Sequence, residues 1–148
     1  MIEILTIATA SVLGLFAGSM LTEAFLLVPY FRSLKSEDFY ALHHDFGPRL
    51  YRYYAPLTIS ATIFPLICAA AVILIDPANA LLPCLVAAIA LAILSTYFLY
   101  FRKANLSFAE KTLSEAELKV ELVRWSGVHN FRTALAVISF VTSIFAAT

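Results

Sequence analysis

The chain has 148 residues, of which 61% are hydrophobic and only 14% are charged. Soluble domains carry charge on about a quarter of their residues, so this composition excludes an ordinary soluble domain and predicts an integral membrane protein. The formal net charge is zero, which gives no electrostatic basis for binding nucleic acid. The two cysteines, Cys68 and Cys84, lie in apolar stretches without Cys-x-x-Cys spacing and are interpreted as small core residues.

Four apolar segments come close to the roughly 20 residues that cross about 30 Å of hydrocarbon. They predict an all-α, integral membrane four-helix bundle that forms a single domain over residues 1–148. The predicted spans are residues 4–29, 56–75, 81–101 and 128–147. The polar turn at 76–79 joins the second and third spans as a helical hairpin, and Arg102 and Lys103 are predicted to end the third.

The segment between the first two spans predicts a short amphipathic helix. Ser36 is a suitable N-cap residue, and Gly47-Pro48 is typical of a helix stop. One face of this helix combines apolar residues with a histidine at i, i+3, i+4 and i+7: Phe39, Leu42, His43 and Phe46. This face is expected to lie against the membrane or the bundle.

The last apolar run, residues 133–147, is too short to cross the bilayer, so the fourth helix must begin earlier. Ser114 and Glu117 have the spacing of a capping box, with Leu113 and Leu118 in the positions of a hydrophobic staple. The pattern predicts one long helix from Ser114 to the C-terminus, whose first part is the amphipathic segment before the fourth span.

All ten basic residues lie in or beside two segments, the one between the first and second spans and the one between the third and fourth; the last of them, Arg132, lies in the second turn of the fourth span itself. By the positive-inside rule, both of these segments are expected on the cytoplasmic side. The prediction is therefore a protein of the bacterial inner membrane with both termini on the non-cytoplasmic side.

The last helix has one face on which chemistry could occur. Glu121, Trp125, His129 and Arg132 follow one another at spacings of four, four and three, within an arc of about 80°. The apolar run that follows places His129 and Arg132 at or below the headgroups, where ionisable side chains usually face a bundle interior or a watery cavity. The alternative is that Arg132 snorkels to the interface and Trp125 anchors the helix there.

Glu23 lies six residues before the end of the first span, about 9 Å inside the hydrocarbon. An isolated carboxylate is costly at that depth, so Glu23 is expected to be protonated or paired, with Arg132 as the first candidate partner and His129 as the second. A purely structural ion pair is the alternative. In the same span, Gly14 and Gly18 would let a neighbouring helix approach closely.

All seven tyrosines lie on the side that carries the basic residues. An aromatic belt at the membrane interface explains part of this distribution. The other end of the bundle has neither Tyr nor Trp, however, so Tyr97, Tyr100 and other rings are candidates for lining a site for a flat aromatic ligand. Both interpretations stay open on the sequence alone.

The three histidines lie on this side as well. His43, His44 and His129, with Glu23 or Glu121, would supply nitrogen and oxygen ligands for iron, copper or zinc. Adjacent histidines on a helix point about 100° apart, which weakens this hypothesis. The cofactor therefore stays open between none and a metal or haem held by these histidines.

The run from Arg124 to Thr133 has a Trp-x-x-x-His-x-x-Arg-Thr arrangement at the opening of the last span. This arrangement resembles the small four-span family that includes the anthrone oxygenases of polyketide pathways. Asn105, just after the third span, is similar to an Asn of that family, and Gly14 and Gly18 followed by Pro29 match its first helix. The resemblance covers most of the chain.

The resemblance implies oxygen insertion at an activated aromatic carbon, such as an anthrone methylene, to give a quinone without a required organic cofactor. In such chemistry His129 is the general base, Arg132 binds the oxyanion, and Glu23 orients or tunes both. The expected substrate contacts are Trp125, Asn105, His43, Tyr97 and Tyr100.

The expected partners are the lipid bilayer and a hydrophobic small molecule, and a homo-oligomer stays open. The alternative function is a non-enzymatic membrane module, either a carrier of haem, metal or a small molecule or an accessory subunit.

Overall fold

The computed structural model describes residues 1–147, which form four long helices and, within that range, no strand. Helix α1 spans Ile2–Ser33, α2 spans Ser36–Ile75, α3 spans Leu81–Ala109 and α4 spans Glu115–Phe145. Each is long and apolar enough to cross a membrane. The predicted all-α membrane four-helix bundle is thereby confirmed.

The helices are arranged in a ring in which each packs mainly against its two neighbours in the order α1, α2, α3, α4, with α4 closing on α1. We call one end of the bundle the basic end, because it holds the α1–α2 and α3–α4 connections and all the basic residues. The terminal end holds the beginning of α1, the end of α4 and the α2–α3 turn. In that turn Pro77–Asn79 form one turn of 3₁₀ helix, and Asn79 donates a hydrogen bond to Asp76 at 2.8 Å.

Helix α2 corrects the prediction of a separate short helix that stops at Gly47-Pro48. The helix continues to Ile75, with Pro48 and two further prolines inside it. A proline removes one backbone hydrogen bond, but a long helix held by neighbours on both sides tolerates this loss. The amphipathic segment and the second span are therefore one rod, which brings the histidine-bearing segment into line with the bundle.

Helix α3 also runs further than expected, because Arg102 and Lys103 do not end it. The last turns before Ala109 bury Ala104 and Phe108 in an aromatic cluster, and this packing favours continuation of the helix. The predicted start of α4 is confirmed, since Ser114 and Glu117 form both hydrogen bonds of a capping box.

Two of the helices contain a π-helical turn. In α1 it covers Glu23–Leu27, where the N–H of Val28 donates to the carbonyl of Glu23. In α3 it covers Tyr97–Phe101, where the N–H of Arg102 bonds back to the Tyr97 carbonyl. A π turn contains one more residue than an α-helical turn, so it changes the direction of the side chains around it. Glu23 and Phe101, at the edges of these turns, are both buried.

The buried residues form two clusters, one in each half of the bundle. The terminal-half core consists of Leu13, Phe16, Ala17, Met20, Ala61, Val86, Ile93 and Ala136. The basic-half aromatic cluster consists of Val28, Phe39, Phe101, Ala104, Phe108, Leu118, Leu122 and Trp125.

Of the two glycines expected to allow close helix approach, only Gly14 does so. A Cβ added at Gly14 would lie 2.9 Å from the Phe140 ring of α4, whereas one at Gly18 would have no atom within 4 Å.

Candidate functional site

A cavity of about 1000 Å³ lies in the basic half of the bundle. Its inner end is formed by three buried polar residues, Glu23, His129 and Arg132. Its mouth lies between α2 and α3, where the lining residues are exposed and include Arg52 and Arg102. Pockets for small molecules commonly enclose about 300–1000 Å³, so the cavity is large enough for a polycyclic ligand.

His129 is held by α1 and by its own helix. Its Nε2 lies 3.3 Å from the Met20 carbonyl oxygen and 3.3 Å from the Thr133 hydroxyl oxygen. That hydroxyl donates its own proton to the His129 carbonyl at 2.9 Å. Because a carbonyl oxygen can only accept, Nε2 carries the ring proton and donates it. The basic nitrogen of the neutral ring is therefore Nδ1.

Nδ1 of His129 faces the carboxyl group of Glu23, at 3.9 Å from Oε2. This separation is longer than a hydrogen bond, and the two groups form an ion pair only when the imidazole ring is protonated. The pair can hold one exchangeable proton, on the Glu23 carboxyl group or on His129 Nδ1. Among residues 1–147, the first expected partner of Glu23, Arg132, makes no N···O contact with it within 4.0 Å, so His129 is the nearer partner.

Arg132 is only 9% exposed and has few partners for its charge. Nη2 donates one hydrogen bond of 3.3 Å to the Thr58 hydroxyl, and Nε has no hydrogen-bond partner. The guanidinium carbon lies 5.2 Å from the Phe101 ring centre and 5.9 Å from that of Phe16. A guanidinium has five N–H donors, and unused donors are costly when buried. This geometry indicates a place for an acceptor oxygen at the inner end.

Trp125 fixes the plane of the His129 ring. The two rings are stacked, with centres 5.3 Å apart and planes inclined by 3°. The indole N–H donates to Asn105 Oδ1 at 3.1 Å, and the Phe101 ring packs edge-on against the indole at 5.5 Å. Two residues of α3 thus hold Trp125, and Trp125 in turn restricts the imidazole. One face of the indole, which was expected to stack on substrate, is occupied by His129.

The other predicted ligand contacts divide into those that line the cavity and one that does not. His43, Tyr97 and Asn105 line it. Tyr100 lies outside the cavity lining, because its hydroxyl donates to Glu121 Oε1 at 2.7 Å. Glu121 also pairs with Arg124 at 3.2 Å. It therefore lies outside the cavity lining with Tyr100, although the spacing along the helix places it on the same face as His129.

The three histidines are not brought together. His44 is exposed and lies 3.0 Å from the Asp45 carboxylate, while His43 packs against the rings of Phe39 and Phe108. His129 is at the inner end of the cavity. Within the described chain, no group of three or more His, Cys, Asp or Glu residues is placed to hold a metal ion, so the ligand set His43, His44 and His129 is not assembled. The physical reason is that adjacent positions on a helix, such as 43 and 44, point in different directions.

Several contributors to the site were missed by sequence reasoning. Thr58 and Tyr54 line the cavity from α2, and the Met20 carbonyl and Thr133 hold the imidazole. Thr58 had a weak signal, as a polar residue at the beginning of the second apolar span. The Met20 carbonyl had none, because a backbone acceptor becomes part of a site only through tertiary packing.

Comparison of the chain with family models, with curated proteins and with solved structures gives no match in any of the three.

Proposed function

We propose that this chain is a membrane-embedded oxygenase that acts on a hydrophobic aromatic molecule of the anthrone or quinol type. The observation that carries this proposal is the composition of the inner end. A proton-accepting pair, His129 and Glu23, lies at the buried end of an aromatic-lined cavity beside an arginine with unused donors. A group that takes a proton and a cation that binds the resulting oxyanion are the two requirements for activating such a carbon.

The substrate would place its ring system between the aromatic walls and its oxygen against Arg132. Phe101, Trp125 and Tyr97 supply flat apolar surface for this ring system. The guanidinium can donate from its unused N–H groups to a carbonyl or phenolate oxygen. The buried position of the pair keeps water away from the anion that forms.

The proposed reaction begins with transfer of a methylene proton to His129 Nδ1, where the nearby Glu23 carboxylate stabilises the imidazolium. The electron pair of the broken C–H bond remains on the substrate as an oxyanion bound by Arg132. Dioxygen takes two electrons from this anion and forms a C–O bond at the same carbon, and His129 returns its proton to the peroxide. Loss of water leaves a carbonyl group, so the methylene and O₂ become a quinone carbonyl and H₂O.

We place the basic end on the cytoplasmic side of a bacterial inner membrane, with both termini on the other side, because the basic residues are so unevenly distributed. Single cysteines at Asn79 and Thr112, in a chain lacking Cys68 and Cys84, test this orientation. A membrane-impermeant thiol reagent applied to intact cells should label position 79 alone. Labelling of position 112 alone would reverse the orientation.

The test of activity is the oxidation of 1,8-dihydroxyanthrone by the full-length protein in lipid nanodiscs. Quinone absorbance should rise faster than with empty nanodiscs, with one O₂ consumed for each quinone formed. Trp125 is the single tryptophan of the chain and lines the cavity, so quenching of its fluorescence reports binding independently. Quenching without turnover would contradict the oxygenase proposal and support the non-enzymatic binding module.

A further inference from the structure

We infer that the ligand of this cavity is an aromatic acid, whose anionic group is bound at the mouth by Arg52 and Arg102 while its oxygen at the other end reaches Arg132. The inference rests on the proposed function, since it names the class of molecule that the same cavity accepts. It adds a second binding site, about two helical turns from the inner end.

The charges that line the cavity are unbalanced. Three arginines contribute to its wall, Arg52, Arg102 and Arg132, against a single carboxyl group, that of Glu23. Even with Glu23 ionised, the lining carries an excess of two positive charges. Low-dielectric walls strengthen the field of such an excess, so the cavity favours an anion over a neutral molecule of the same shape.

The two arginines at the mouth have no acidic partner of their own. Within the part of the chain that the structure describes, neither Arg52 nor Arg102 lies within 4.0 Å of a carboxylate. Two other arginines at this end have contacts of their own and do not line the cavity: Arg124 pairs with Glu121, and Arg49 lies over the Phe46 ring at 5.4 Å. Arg52 and Arg102 are thus distinguished both by lining the cavity and by having free charge.

Their placement on two helices sets where the acid group of a ligand would lie. Arg52 is on α2 and Arg102 on α3, the two helices that border the mouth. Thr58, which binds Arg132, follows Arg52 by six residues, or about 9 Å along a helix axis. A ligand that uses both sites therefore carries its acid group at the opposite end of the ring system from its reactive oxygen.

The experiment compares two probes of nearly identical shape, anthraquinone-2-carboxylate and anthraquinone-2-carboxamide. Binding is measured by quenching of Trp125 fluorescence in the full-length protein, in nanodiscs of phosphatidylcholine at neutral pH. The carboxylate should bind about tenfold more tightly than the carboxamide, because only the carboxylate is an anion and can form ion pairs with the arginines. R52Q and R102Q should each reduce this preference, and the double variant should abolish it, while affinity for the carboxamide stays within about twofold. R49Q, which changes an arginine of the same helix outside the cavity lining, should leave the preference unchanged.

Equal affinity of the two probes, or a preference that survives the R52Q/R102Q double variant, would overturn the inference while leaving anthrone turnover as evidence for the proposed function. If neither probe quenches Trp125, the cavity does not accept aromatic molecules and the proposed function fails with it. Repeating the titration with phosphatidylglycerol in the nanodiscs distinguishes a lipid headgroup from a soluble acid. A preference that disappears there would mean that Arg52 and Arg102 bind lipid phosphate, which also overturns the inference.

Discussion

In the terminal half of the bundle, the space left near Thr9, Cys68 and Ser143 is about 10 Å³, whereas the basic half encloses about 1000 Å³. The same four helices form both halves. In the terminal half α4 packs so closely on α1 that Gly14 contacts the Phe140 ring. The basic half contains the two π turns and the large aromatic side chains, and there the helices surround an open cavity. One half therefore holds the helices together, and the other is available to a ligand.

The two halves also differ in how they treat buried polar groups. In the terminal half, the hydroxyl groups of Thr6, Thr9 and Ser143 each donate to a carbonyl of their own helix. Ser139 in this half is also buried and has no partner for its hydroxyl, but it lines neither cavity. In the basic half, Nε of Arg132 and Nδ1 of His43 have no hydrogen-bond partner, and both residues line the large cavity. Buried polar groups that the fold leaves unpaired beside an open cavity indicate a place where something else binds.

The largest expected effect is on turnover when the proposed base is removed. The amide N–H₂ in H129Q can still donate to the Met20 carbonyl, but it cannot take a proton. We expect anthrone oxidation to fall by about 100-fold or more, the range of general acid–base catalysis, while the protein stays folded in detergent. Anthrone turnover and thermal unfolding, measured together, check this result.

The matched control is S139A, ten residues later on the same helix in the closely packed half. Ser139 is fully buried, and its hydroxyl has no partner. Turnover should stay at the wild-type level in S139A. A folded H129Q variant with full turnover would show that His129 is a structural hydrogen-bond donor.

Replacement of Arg132 should separate function from stability. In R132M, loss of the cation should lower turnover by about 100-fold, as for removal of a donor to an oxyanion. Because the ligand-free guanidinium has unused buried donors, its removal should leave the free energy of unfolding unchanged or raise it by about 1–3 kcal/mol. Unfolding in sodium dodecyl sulfate measures this. A loss of several kcal/mol would instead identify Arg132 as a structural partner of Glu23.

Overpacking should harm the terminal half but not the lipid-facing side of the same helix. A leucine at Gly14 would meet the Phe140 ring, so G14L should lower the free energy of unfolding by about 1–3 kcal/mol. G18L, one helical turn away with no atom near its Cβ, is the control and should be close to neutral. Equal losses in the two variants would mean that α1 and α4 are not packed closely at Gly14.

The smallest effect is expected at Tyr100, which contacts Glu121 outside the cavity. Y100F should cost about 0.5–1.5 kcal/mol of stability through the lost hydrogen bond, and turnover should not change. Y97A, three residues earlier, should weaken ligand binding because Tyr97 lines the cavity. A drop in turnover for Y100F would place Tyr100 in the site, as the sequence predicted.

The fold followed closely from the pattern of apolar residues. Four apolar runs specify four helices because a backbone in hydrocarbon must satisfy its own hydrogen bonds. The capping box at Ser114 was equally predictable, since it is a local interaction between a side chain and the backbone three residues away. The predicted stop at Gly47-Pro48 was wrong because long-range packing outweighed a local signal.

The candidate site was predictable only in part. Spacing along α4 identified Trp125, His129 and Arg132 as one face, because helical periodicity is a property of the chain itself. Which partner Glu23 meets depends on how α1 lies against α4, and there the nearer contact is His129 rather than Arg132.

The order of residue types along the chain thus determined the membrane location, the number of helices and the group of candidate functional residues on the last helix. Tertiary structure decided the tautomer of His129 through the Met20 carbonyl and left Nε of Arg132 without a hydrogen-bond partner. Within the described residues, it also did not assemble His43, His44 and His129 into a set of metal ligands. These features depend on distances between helices and on the two π turns. Such distances arise from the packing of all four helices at once, and no local stretch of residues encodes them.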